Sequence, residues 1–143
     1  MSIEDKNVKD VYNSIAKEFD NTRYRPWSCV ENFLDNIPEQ SSIGDIGCGN
    51  GKNMLYRTDC YNYGCDFSKS LVEICLKKNL NVVEGDILDI PFEDNQFDYT
   101  ICIAVIHHLS THEKRIKAIE ELKRVTKKGG KMLILVWAFE QEK

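Results

Sequence analysis

The chain has 143 residues, of which 42% are hydrophobic, 10% aromatic and 29% charged, a globular composition that excludes wholesale disorder, a collagen-like repeat and a low-complexity scaffold. The length suits one domain of ordinary size. The formal charge of −4 is uneven: residues 1–111 carry 10 Lys and Arg against 18 Asp and Glu, whereas residues 112–131 carry 8 against 3.

No apolar run nears the ~20 residues of a bilayer span, and Met1-Ser-Ile-Glu-Asp-Lys6 lacks the apolar stretch and small-residue cleavage site of a secretory leader. No membrane is expected as a partner, and the expected compartment is the cytoplasm, with the nucleus as the alternative. The six cysteines, Cys29, Cys48, Cys60, Cys65, Cys75 and Cys102, are irregularly spaced with no C-x-x-C, which points to free thiols and to no structural metal.

In chain order, Val8, Val11, Tyr12, Ile15, Ala16 and Phe19 recur at helical spacing and predict an amphipathic helix. A linker, Asp20-Asn-Thr-Arg-Tyr-Arg25, leads to Pro26, expected in the first turn of a second helix that carries Trp27, Val30, Phe33, Leu34 and Ile37 until Pro38 stops it. Beyond Gln40-Ser41-Ser42 short β-type runs alternate with helical ones. Strands are expected at Ile43–Ile46, Tyr61–Cys65, Asn81–Glu84, Phe97–Ile103 and Lys131–Ala138, and helices near Lys52–Tyr56, Lys69–Lys78 and His112–Thr126. Ser68 and Thr111 are suited to cap the last two helices, and Gly129-Gly130 to turn the chain into the last strand. This alternation is the mark of an α/β domain, a doubly wound, mostly parallel sheet over residues 41–143 behind a helical part at 1–40.

The first strand runs into Asp45-Ile-Gly47-Cys-Gly49-Asn-Gly51. Three alternate glycines permit a tight turn and the close approach of a ligand to the backbone. The spacing is G-x-G-x-G, not the G-x-G-x-x-G of dinucleotide sites, and an acid opens it. Unit charges ~4 Å apart interact by about 4 kcal/mol at an effective dielectric of 20, so this carboxylate would repel a pyrophosphate and attract a cation. S-adenosylmethionine, with a sulfonium, an ammonium and no phosphate, suits such a turn. Asp66, in Gly64-Cys-Asp66-Phe67-Ser68, ends the second strand where an adenosine ribose would lie in this topology. Asp86, in Glu84-Gly-Asp86-Ile87, ends the third; its carboxylate is suited to the adenine amino group and the Ile87 N–H to a ring nitrogen. Asp89 and Asp98 read as turn and strand-start residues.

With these motifs in order, the chain resembles the class I S-adenosylmethionine-dependent methyltransferases over nearly its whole length. The resemblance implies a Rossmann-like fold and gives Asp45, Gly47, Gly49, Gly51, Asp66, Phe67, Asp86 and Ile87 to the cofactor. It adds that the backbone around Ile103-Ala104 meets the methionine part, and that residues 1–40, with Tyr12 and Phe19, form a lid over it. A narrower likeness is carried by Val11-Tyr-Asn-Ser-Ile-Ala16, Thr22-Arg23-Tyr24-Arg-Pro26-Trp27, Asp45–Lys52, Ile103-Ala-Val-Ile-His107-His108-Leu109 and Val136-Trp-Ala-Phe-Glu-Gln141. These segments are similar to the eukaryotic tRNA methyltransferases that esterify 5-carboxymethyluridine at the anticodon wobble position. That likeness implies tRNA as substrate and a small zinc-binding activator subunit as partner, the zinc belonging to the activator. A carboxylate acceptor is already ionised at neutral pH and needs no general base, so His107 and Arg23 are expected to position and recognise it. The Asn-Pro-Pro-Tyr type of motif used on amino groups is missing.

Methyltransferases of this class normally finish their sheet with two more strands, so Lys131–Ala138 is expected to lie at an edge. A cofactor-binding module without catalysis, and a small-molecule carboxyl or hydroxyl methyltransferase, remain alternatives. The cationic stretch from Lys114 to Lys131 is either a phosphate-contacting surface or a solvated helix.

Overall fold

The structure, a computed structural model, describes residues 26–103, 105–106 and 109–136. The helix expected over Val8–Phe19 lies outside them. In chain order come α1 (Ser28–Asp35), β1 (Ser42–Ile46), β2 (Tyr61–Asp66), α2 (Lys69–Lys77), β3 (Val82–Glu84), β4 (Phe97–Ile103), α3 (His112–Val125) and β5 (Thr126–Leu135). The strands form one sheet in the order β3-β2-β1-β4-β5, and every pairing is parallel. The chain winds outward from β1 to β3, then crosses back to β4 on the other side of β1. Strand order therefore reverses between β1 and β4, and ligands of open α/β sheets bind outside the carboxyl ends at such a point.

Local chemistry sets the element ends. The Ser68 hydroxyl accepts from the Leu71 N–H at 3.3 Å and the Thr111 hydroxyl from the Lys114 N–H at 3.1 Å, capping α2 and α3 as their sequences imply. Trp27, not Pro26, is the N-cap of α1, so that helix opens later than the proline suggests. At its other end the Arg57 guanidinium donates to the carbonyls of Leu34 and Ile37 at 2.6 and 2.8 Å, satisfying groups that a helix terminus leaves unpaired.

Two expectations need correction. The helix predicted near Lys52–Tyr56 is a run of turns: the Met54 N–H bonds back to Gly51 and the Tyr56 N–H to Asn53, three residues apart instead of four. Asn50, Gly51 and Asn53 favour turns, and the Asn50 side chain already takes the Lys52 N–H at 3.2 Å. The last strand begins at Thr126, before the glycine pair. Thr126 pairs with Phe97 and Lys131 with Tyr99, so residues 127–130 bulge out opposite Asp98 alone. Gly129 takes φ +85° in this bulge.

The sheet is covered on both faces. Along β5, Met132 and Ile134 pack with Ile46, Phe97, Cys102, Ala118, Leu122 and Val125 on the α3 side, while Leu133 and Leu135 join Val30, Leu34, Ile37 and Ile43 on the α1 side. Phe97 and Tyr99 would share a face in a regular strand. The register shift between them sends Phe97 to the α3 side and Tyr99 to the α1 side. A third cluster, Cys48, Met54, Val72, Cys75 and Val82, joins the turn after β1 to α2. All six cysteines are free thiols.

The loop before β4 is held by a polar clamp from α3. Glu121, 6% exposed, accepts the Ile90 N–H at 2.8 Å. Arg124 pairs with Glu121 and Asp94 and donates to the carbonyls of Ile90 and Phe92.

Candidate functional site

Asp45 lies in the middle of the sheet, paired with Gly64 of β2 on one side and Ile101 of β4 on the other. Only 2% of it is exposed, and neither carboxylate oxygen has a hydrogen-bond partner among the described residues. Buried carboxylates are normally paired or accept several hydrogen bonds, so two orphan oxygens on one group demand an explanation. Burial, and secondarily the Asp66 charge, push its pKa up to about 7; Lys52 pulls the other way.

The turn after β1 folds onto the end of β2, because the amides of Gly47 and Cys48 both donate to the Cys65 carbonyl, at 2.8 and 3.0 Å. Gly47 and Gly49 take φ +80° and +58°. A methyl group on Gly47 would run into the Val105 side chain that follows β4, whereas one on Gly49 would meet nothing within 4 Å among the described residues. Gly47 thus lets the turn close against the β4 side, and Gly49 leaves an open approach to the backbone. Gly51 packs closely against Leu80 and the Cys75 thiol.

Asp66 ties two turns together. One oxygen accepts the Gly49 N–H and the other the Ser68 N–H, each at 2.9 Å. Burial raises its pKa while these backbone amides oppose the rise. Phe67 beside it is half-buried. Asp86 is half-buried and accepts the Leu88 N–H at 2.9 Å, opening a turn that buries Ile87. The three acids fall around Cys65, whose thiol is pushed up to about 12 by burial and, beyond that, by the charges of Asp66, Asp45 and Asp86, against a backbone hydrogen bond from Gly47. A set of acids at three neighbouring strand ends is a receptor for positive charge.

Tyr12, Arg23, Ala104, His107 and His108 lie outside the described residues. Two residues without a role of their own in the sequence reading lie just beyond the glycine turn and bear on the site. The Lys52 ammonium, 5.1 Å from the centroid of the Trp27 ring, links the start of α1 to the glycine turn and moderates Asp45. Asn53 is buried with its side-chain oxygen unpartnered, the other such residue besides Asp45 among those described. A cation and an amide just beyond a glycine turn were the available signal; the expected helix there hid it.

The family model described as "Methyltransferase domain" matches residues 44–134. The chain is 46% identical over 141 residues to "tRNA (carboxymethyluridine(34)-5-O)-methyltransferase alkbh8" of Xenopus tropicalis, covering 99% of this chain and 22% of that protein. It is 45% identical over 145 residues to "tRNA (carboxymethyluridine(34)-5-O)-methyltransferase" of Schizosaccharomyces pombe, covering 99% of this chain and 63% of the relative. The chain therefore spans less than two thirds of the length of these relatives. Among solved structures, the Haloferax volcanii methyltransferase in complex with the Trm112 methyltransferase activator superposes with a TM-score of 0.75 at 23% identity, over 89% of this chain and 59% of that one.

Proposed function

The chain belongs to the methyltransferase domain family, and from that premise we propose that it binds S-adenosylmethionine at the β1–β3 strand ends and transfers its methyl group to the carboxylate of 5-carboxymethyluridine at the wobble position of tRNA. The observation that carries the reading is the Asp45 carboxylate near the end of the central strand, buried with both oxygens unpartnered among the described residues.

The residues present fit this cofactor. A doubly orphaned carboxylate is matched by a cationic donor, and the open side of Gly49 admits a ligand to the backbone. When bound, S-adenosylmethionine supplies a sulfonium-activated methyl group. Asp45 would hold the ammonium end. Asp66, which accepts the Gly49 and Ser68 amides and is also stabilised by the Phe67 amide, would offer its remaining lone-pair capacity to the ribose hydroxyls and fixes the glycine turn at the same time. Asp86 and the Ile87 N–H would meet the adenine edge, Phe67 would lie along it, and Tyr12 and Ala104 would close on the methionine part.

The acceptor carboxylate is anionic at neutral pH, so no proton has to be removed. What the protein contributes is alignment in a site with little water, with Arg23 and His107 in the positioning role. The names of the relatives support tRNA as acceptor, and the Haloferax neighbour, solved with the Trm112 methyltransferase activator, supports an activator subunit as partner. The test is transfer of radiolabelled methyl from S-adenosylmethionine to tRNA carrying 5-carboxymethyluridine, with and without activator. Label released by mild base, as an ester is, is the expected result. Equal labelling of tRNA that lacks the carboxymethyl group would contradict the assignment.

A further inference from the structure

We infer that the recess at the start of β5, ringed by Lys123, Lys127 and Lys128, anchors the phosphodiester backbone of an RNA acceptor at the end of the sheet opposite the glycine turn. The inference rests on the reading of RNA as the acceptor and adds the surface that would hold it.

The cations of residues 112–131 do not act as one patch; the structure divides them. Arg124 is spent on Glu121, Asp94 and the carbonyls of Ile90 and Phe92. The Arg115 guanidinium donates to the Leu109 carbonyl at 2.6 Å, and Lys117 reaches toward Glu121 at 4.0 Å. Lys123, Lys127 and Lys128, all exposed, converge instead on one open recess of about 740 Å³ with Asn95, Thr126, Gly130 and Met132. The convergence has a backbone cause. Residues 127–130 bulge out of β5, which carries Lys127 and Lys128 toward Lys123 in the last turn of α3. Asp98 holds the Lys127 ammonium at 3.0 Å and neutralises part of its charge, leaving a net positive rim.

The chemistry favours a polyanion over a small ligand. Ammonium groups on flexible stems are point charges without fixed donor geometry, and they suit a phosphate chain better than one oriented anion. The rest of the sequence repels it, with a net of −8 over residues 1–111. β4 has seven residues, so the recess lies roughly 20 Å from the carboxyl ends of the strands at ~3.3 Å per residue. A ligand that touches both ends must be longer than a nucleotide.

The test uses a fluorescent anticodon stem-loop RNA, measured by anisotropy across a salt series, on the wild-type chain and on the double variant Lys123→Ala/Lys128→Ala. Loss of two phosphate contacts predicts about tenfold weaker binding at low salt and a slope of log K against log salt shallower by roughly 1.5. Lys123→Arg/Lys128→Arg keeps the charge and retains binding. In methyl transfer the alanine variant raises KM for RNA with kcat unchanged, because the contact is made equally before and during the reaction. S-adenosylmethionine affinity stays at the wild-type value, which shows that the fold is intact. If wild type binds RNA and the alanine variant matches it in affinity and slope, the anchor is wrong and the RNA reading survives. If wild type does not bind the RNA at all, both fall together.

Discussion

A carboxyl group with a pKa of about 7 at the centre of a sheet is a stored cost as well as a binding group. The folded protein holds the Asp45 proton more tightly than the unfolded chain, so native stability from this group is full below the ordinary carboxylate pKa of 3.8 and is lost as pH rises through 7. A shift of that size corresponds to on the order of 4 kcal/mol. Asp45→Asn removes the titration. Its stability in urea should match wild type near pH 4 and exceed it increasingly up to pH 7.5, while its affinity for S-adenosylmethionine drops at least tenfold. A variant that loses stability at pH 7.5 would show that the carboxylate serves the fold. Gly49→Ala separates binding from folding in another way: the left-handed backbone costs ~1–2 kcal/mol, and the methyl occupies only open space in the free protein. Calorimetry should find weaker cofactor binding in a variant that still unfolds cooperatively. Asp45, Asp66 and Asp86 were legible in the sequence because each follows a β-type run. That both oxygens of Asp45 are unpartnered was not, since hydrogen-bond satisfaction depends on neighbours brought in from β2 and β4.

At the scale of elements, α3 matters through what it grips. Arg124→Ala would leave the Glu121 carboxylate buried against the Ile90 amide with only Lys117, 4.0 Å away, as counter-charge, and release the loop that ends at Asp94. Breaking a buried pair costs 3–5 kcal/mol; with the Arg124 side chain 29% exposed, about 2–3 kcal/mol is expected, read from the urea midpoint. Arg124, and less so the Ile90 amide, holds the Glu121 pKa below its ordinary value, so the stabilisation is present at neutral pH and fades as pH falls below 4.5. An unchanged midpoint would remove the clamp from the account. Strand periodicity located β4 to the residue and β2 to within one, because both are short apolar runs between turn signals. The segment after Gly51 misled because a helix was expected to open directly from the glycine turn, whereas Asn50 and Asn53 compete for the backbone. β5 misled because the glycine pair marks a bulge, and pairing with β4 had already begun at Thr126.

Taken whole, the molecule carries opposite charges at the two ends of its sheet: acids at the carboxyl ends of β1, β2 and the turn after β3, and lysines at the start of β5. The sequence showed the imbalance as a contrast along the chain, but not that Arg115, Lys117 and Arg124 turn to internal partners. Ligand binding to the native state alone stabilises it by about 2.7 kcal/mol at a hundredfold excess over Kd, so S-adenosylmethionine should raise the unfolding temperature by several degrees in a domain of this size. A bare adenosine, which lacks the ammonium and sulfonium, should raise it much less.

The most direct test of Asp45 as the counter-charge of the cofactor is calorimetric titration of wild type and Asp45→Asn with S-adenosylmethionine between pH 5.5 and 7.5, the partial deprotonation of the ligand's own amino group toward pH 7.5 being common to both proteins. The account predicts one binding site whose affinity climbs about tenfold per pH unit at the acid end and levels off as pH passes about 7, with that dependence absent in Asp45→Asn. Binding with the same affinity across the range in wild type, or no binding at any pH, would contradict it.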